Sequence, residues 1–113
     1  MSKILENKCA NGCPFGTAIN IIGGKWKGII LWHLLEREVL RNSEMLRLIH
    51  PITQKMLTQQ LREMEKDGLV TRTIYEQIPP KVEYRTTLQA EALRPVLALL
   101  YQWGEEYVRN KKA

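Results

Sequence analysis

Cysteine is nearly missing from the 113 residues: Cys9 and Cys13 are the whole supply. A framework of disulfides like those of small secreted domains is therefore excluded. The two histidines, His33 and His50, stand seventeen positions apart and add no paired-ligand spacing of a structural zinc site, so no metal and no cofactor is expected. Long apolar runs are missing too. None approaches the roughly 18 residues of a membrane span, and no membrane partner is expected. The opening Met-Ser-Lys-Ile-Leu-Glu-Asn-Lys contains no apolar targeting segment, which makes the cytoplasm the expected location, with its thiols kept reduced. Phosphate loop, Gly-x-Ser-x-Gly elbow and His-Glu-x-x-His helix are all absent, which removes the enzyme classes those motifs serve. A thiol oxidoreductase or peroxidase using Cys13 is the remaining enzyme alternative, and it lacks a base that the sequence can assign.

What is present suits one globular domain: 44% hydrophobic and 26% charged residues, enough for a modest core. A net charge of +5 and a pI near 9.4 favour a polyanionic partner without naming it. The chain then reads as a series of short elements. Pro14 opens a helix that Gly23-Gly24 ends. Lys25 to Leu35, apolar on nearly every side after its two lysines, predicts a core helix enclosed by its neighbours. Asn42 or Ser43 can cap a third helix carrying Met45, Leu48 and Ile49 at helical spacing. His50-Pro51 makes a turn, Thr53 caps the next helix, and Ile52 is placed to pack against Leu57 as a staple.

That next helix, Gln54 to Asp67, has two faces: Leu57, Leu61 and Met64 on one side, Lys55, Thr58, Gln59, Arg62 and Lys66 on the other, with Gly68 as the stop. Two alternating stretches rich in β-branched residues, Leu69 to Tyr75 and Val82 to Thr87, predict strands around an exposed tip at Glu76-Gln-Ile-Pro-Pro-Lys. A last helix is expected from Leu88 to about residue 110, with Pro95 in its first turn or at a kink. The fold class is mainly α with a small β-hairpin wing, an α+β winged helix-turn-helix in one domain. Its parts are an N-terminal arm over 1–12, the helix-turn-helix over 42–67, the wing over 69–87 and a dimerisation helix over 88–110.

A helix-turn-helix followed by a hairpin is suited to DNA, because one α-helix fits the major groove and base edges need donors, acceptors and cations to read them. Gln54, Lys55, Gln59 and Arg62 carry that chemistry; Thr53 and Thr58 can bond phosphates near the helix N-terminus, and Lys81 and Arg85 on the wing can reach the backbone. The same helix face would also serve as an ordinary solvated surface. Residues 53–87 hold six cations and five anions, so charge alone does not decide between them. On the last helix, Leu93, Leu97, Leu100, Trp103 and Tyr107 form one apolar row and Val96, Leu99 and Trp103 a second, wider than a small domain requires. Leu97, Leu100, Trp103 and Tyr107 are the expected dimer contacts, a helix buried within its own monomer being the alternative. Two-fold symmetry would place two recognition helices on a roughly palindromic operator in double-stranded DNA. Trp26, Trp32 and Trp103 read as core or interface, a small-molecule pocket among them being the alternative.

Residues 13–104 resemble the HxlR family of bacterial winged-helix, MarR-like transcriptional regulators. The likeness rests on Cys13-Pro14, Ile22-Gly-Gly-Lys-Trp-Lys, the long run Ile52 to Val70, Pro79-Pro-Lys-Val-Glu-Tyr and Trp103-Gly104. The resemblance implies that the Gln54 to Gln59 helix is the recognition helix, that the proline-rich hairpin is the wing, and that terminal helices build a homodimer. The chain departs from the family at Asn42, where an aromatic is frequent, and at Thr86-Thr-Leu-Gln-Ala, where Leu-Thr-x-x-Gly is usual. Cys13 coincides with the N-terminal cysteine of redox-sensing members, whereas Cys9 has no counterpart. A thiol just before Pro14 faces the positive end of a helix dipole, which favours the thiolate. Cys13 is thus the redox-sensing candidate, with a buried apolar filler as its plain alternative and an oxidant or a small molecule as the candidate effector.

Overall fold

The computed structural model of the protein describes residues 12–112. The expected arm over 1–12 lies outside them apart from Gly12, and so does Cys9. Helix α1 is Pro14–Ile22, α2 Lys27–Arg37, strand β1 Val39–Arg41, α3 Asn42–Leu48, α4 Gln54–Lys66, β2 Val70–Tyr75, β3 Lys81–Thr86, α5 Leu88–Glu91 and α6 Arg94–Lys112. The fold is a winged helix, mostly helical with a small antiparallel sheet.

Helix α1 starts at proline and stops at Gly23, whose N–H donates to the Ile19 carbonyl at 2.6 Å. A Cβ on Gly23 would collide with that same carbonyl oxygen, so the position demands glycine. Gly24 takes a φ of +80° and Lys25 and Trp26 complete the turn, which is why α2 begins at Lys27, two residues later than the sequence suggests. Ile30, Leu31, Leu34 and Leu35 of α2 are buried, as its apolar pattern requires. Each such side chain contributes about 1.5–3 kcal/mol relative to exposure.

Strand β1 is not foreseen by the sequence reading. Glu38 leaves α2 with a φ of +69°, a left-handed value that is rare outside glycine, and turns the chain into three extended residues. These pair with β3, so the expected two-stranded hairpin is a three-stranded sheet in the order β1-β3-β2. The strand also moves the next cap. Arg41, still extended, is the N-cap of α3 in place of Asn42 or Ser43, and its N–H donates to Glu44 Oε1 at 2.7 Å.

Helix α4 follows its local signals closely. Thr53 Oγ1 accepts the Met56 N–H at 3.1 Å, and both members of the expected staple, Ile52 and Leu57, are buried. At the other end Gly68 adopts a φ of +80°, letting the Leu69 N–H reach the Met64 carbonyl at 2.9 Å and the Gly68 N–H reach Glu65 at 3.1 Å. The final helix expected over 88–110 is instead divided. Thr87 caps α5, accepting from Ala90 N–H at 3.1 Å and donating to the Gly68 carbonyl at 2.6 Å; the chain turns at Ala92 and Leu93, and α6 restarts with Pro95 in its first turn. Arg94 ties that restart down by donating to the Leu35 carbonyl at 3.0 Å and to the Glu91 carboxylate.

Candidate nucleic-acid interface

The core takes one side of α4 and leaves the other to solvent. Leu57, Leu61 and Met64 are buried, while Gln54, Lys55, Gln59 and Arg62 are exposed and Thr58 is half-buried. Lys55, Thr58, Gln59, Arg62 and Glu63 together line a shallow hollow of about 480 Å³ on that outer face. The side chains there are already steered. Gln54 Nε2 donates to Thr58 Oγ1 at 3.0 Å, one helical turn on, leaving the hydroxyl hydrogen of Thr58 available for an acceptor. Thr53 spends its oxygen on the helix cap and likewise keeps its hydrogen.

One carboxylate on this face would repel phosphate, and the fold compensates it. Lys27 at the start of α2 reaches across to Glu63, Nζ to Oε1 2.6 Å, with the lysine side chain largely covered. The Lys27 hydrogen bond and charge hold the Glu63 carboxyl below the usual carboxylate range. The second oxygen of Glu63 receives a long contact from Gln59 Nε2 at 3.5 Å, so the outward-facing amide is biased by a residue anchored on α2. Lys27 and Glu63 were not among the residues foreseen. The Gln59–Glu63 spacing of one helical turn was readable, but the pairing of positions 27 and 63 depends on how α2 packs against α4.

The wing carries its cations in a similar state. Register places Arg41 of β1, Glu83 of β3 and Thr73 of β2 side by side, and the alternation of strands puts Lys81, Arg85 and Tyr75 on that same sheet face. Lys81 Nζ lies 3.4 Å from Glu83 Oε2 and 4.8 Å from the Tyr75 ring centroid, while Arg85 Nη2 donates to Glu83 Oε1 at 3.2 Å. Beyond them the tip, residues 76–80, is exposed to solvent.

The model of a family described as HxlR-like helix-turn-helix matches residues 21–112, covering α2, the helix-turn-helix, the wing and α6. The chain belongs to the HxlR-like family. It is 51% identical over 96 residues to the HTH-type transcriptional regulator YdeP of Bacillus subtilis, covering 85% of this chain and 74% of that protein. Among solved structures it is similar to the redox regulator HypR in its oxidized form, with 46% identity, a TM-score of 0.79, and 83% and 96% of the two chains covered. It is also similar to diamide-treated YodB from B. subtilis, at 32% identity and a TM-score of 0.68 over 84% and 94%. The protein is a transcriptional regulator of the HxlR type, and the thiol oxidoreductase or peroxidase alternative falls, since these relatives are regulators.

Two further features of this HxlR-like regulator lie away from α4. Cys13 is buried at the N-cap of α1, immediately before Pro14, where the sequence placed it. On α6 the four expected contacts divide: Leu97 is 6% exposed and packs into the core of its own chain, whereas Leu100, Trp103 and Tyr107 stand out in solvent with Val96 and Leu99. Trp103 stacks on Tyr107 with ring centroids 5.2 Å apart. Trp32 meets Tyr101 in the same manner at 5.0 Å, forming the wall of an open groove of about 700 Å³ between α2 and α6 that Lys25, His33 and Leu97 also line. Among the described residues no cluster of three His, Cys, Asp or Glu side chains could hold a metal, and no helix is long and apolar enough to cross a membrane.

Proposed function

We propose that the protein binds a roughly palindromic operator as a homodimer in the cytoplasm, inserting α4 of each subunit into successive major grooves. The observation that carries this reading is the division of α4, buried through Leu57, Leu61 and Met64 and open through Gln54, Lys55, Gln59 and Arg62. Gln54 and Gln59 offer amides for base edges, Lys55 and Arg62 serve guanine edges or phosphates, and Thr53 and Thr58 anchor the backbone at the helix entry. Lys81 and Arg85 grip the flanking phosphates from the wing. The exposed apolar residues of α6, Leu100, Trp103 and Tyr107, supply the second subunit's contact and set the half-sites about one helical turn or a multiple apart. Gln59→Ala is expected to weaken operator binding by about 1–3 kcal/mol while barely changing affinity for random DNA. Lys81→Ala should weaken both equally and flatten the salt dependence; equal losses on both DNAs for Gln59→Ala would remove its role as a base reader.

A second element of the reading is control by thiol oxidation at Cys13, supported by its place at the head of α1 and by the likeness to HypR, a redox regulator. Oxidation there, by a disulfide across subunits, with Cys9, or with a small thiol, would displace α1 and with it the spacing of the two α4 helices. Diamide is expected to change operator affinity in the wild type and to leave Cys13→Ser unmoved. An identical response in both proteins would exclude Cys13 and assign the response to Cys9, the other thiol of the chain, whereas no response in either would favour a ligand in the Trp32–Tyr101 groove as the signal.

A further inference from the structure

Strand β3 of the wing holds its two cations against a carboxylate of its own. Glu83 is the middle residue of the solvent-facing side of β3, with Lys81 two residues before it and Arg85 two residues after. One oxygen accepts from Arg85 Nη2 at 3.2 Å and the other faces Lys81 Nζ at 3.4 Å; the Glu83 side chain is only 14% exposed, against 49% for Arg85. We propose that Glu83 is an internal competitor for the DNA backbone, occupying Lys81 and Arg85 in the DNA-free protein and thereby setting the wing's affinity for phosphate and its salt dependence.

The proposal rests on the reading of the wing as a DNA contact and adds a residue with the opposite effect. A cation already paired must exchange its carboxylate for a phosphate, so its net gain on DNA is smaller than that of a free one. The triad carries a net charge of +1 from two cations and one anion, and an amide at position 83 would leave +2. Burial pushes the Glu83 carboxyl up, but the hydrogen bonds of Lys81 and Tyr75 and the charges of Lys81 and Arg85 outweigh it and hold the group below its usual range. The competitor therefore stays charged at neutral pH. Its use is selectivity by default: a wing that grips any phosphate weakly leaves the choice of site to the base readers on α4.

The test uses the intact dimer, a random-sequence duplex and the operator, with binding measured from about 50 to 200 mM salt. Glu83→Gln, close to isosteric, is expected to tighten binding to both DNAs by the same factor, about threefold to tenfold, and to steepen the salt slope by about 0.9. Lys81→Ala should cost more in the Glu83→Gln background than in the wild type. Glu83→Asp, which keeps the charge but draws it back from both partners, should fall between the two and covers the case in which the amide variant does not fold. Unchanged or weaker binding by these variants overturns the competitor, the weaker result meaning that Glu83 positions the cations instead. Lys81→Ala and Arg85→Ala separate the two failures: no loss from either shows that the wing does not touch DNA and overturns both readings, whereas a loss beside an unmoved Glu83→Gln overturns the competitor alone.

Discussion

His33 lies half-buried on α2, and burial lowers its pKa first, the charge of Arg37 adding to the effect and that of Glu36 offsetting part of it. A histidine whose folded pKa lies below its unfolded one binds fewer protons in the folded state across that interval. Unfolding then takes up a proton, so stability falls as the pH drops through and below about 6.5, and the loss is complete once both states are protonated. The melting temperature of the wild type should therefore decline between pH 7.5 and 5.5 by more than that of His33→Gln; the same decline in both proteins would assign the pH dependence to other groups. At this scale single side chains also settle the interface chemistry. Glu63 is silenced by Lys27 from α2, and Glu83 in turn draws Lys81 and Arg85 toward itself. The positive character of the face is therefore decided by which carboxylates are paired, which a count of six cations against five anions does not reveal.

At the scale of elements, agreement with the sequence follows the range of the forces involved. The Thr53 cap, the Gly68 stop and the two faces of α4 each depend on residues within a few positions of one another, and all three are found as read. Strand β1 is different. Its three residues carry no strand signal of their own after the core helix expected to end at Leu35, and they are held extended by pairing with β3, Val39 opposite Arg85. The division between α5 and α6 has the same origin, since Arg94 and Thr87 are fixed by carbonyls of Leu35 and Gly68. Thr86-Thr-Leu-Gln-Ala, one of the two places where the chain departs from its family's usual pattern, is where that short helix forms. The base-reading test of Gln59 belongs to this scale also, because α4 presents that amide with its turn-mate Glu63 pinned to another helix.

For the whole molecule, α6 is the element that carries the most exposed large apolar side chains among the described residues. It is 19 residues, about 28 Å long, and Leu97 is its buried residue. Trp103 is 65% exposed, with Val96, Leu99, Leu100 and Tyr107 of the same helix also exposed, an apolar surface of the kind that marks a protein partner. The two rows on α6 should respond differently to substitution. Trp103→Glu is expected to convert the proposed dimer to monomers with the helical content unchanged and to weaken operator binding, whereas Leu97→Ala should destabilise the fold by about 2–5 kcal/mol without changing the oligomeric state. Light scattering with thermal melting separates these outcomes, and a Trp103→Glu protein that stays dimeric would move the interface away from α6.

The amino-acid sequence by itself determined the helix-turn-helix, the two faces of α4, the strands of the wing and the place of Cys13 before Pro14, because caps, turns and periodicity act between near neighbours. Tertiary structure alone decided that a third strand closes the sheet, that the last helix restarts at Arg94, that Leu97 turns inward while Trp103 turns outward, and that Lys27 meets Glu63. Those outcomes depend on segments far apart in the chain finding one another, where the gain of packing and pairing outweighs local preference and no short window of sequence contains both partners.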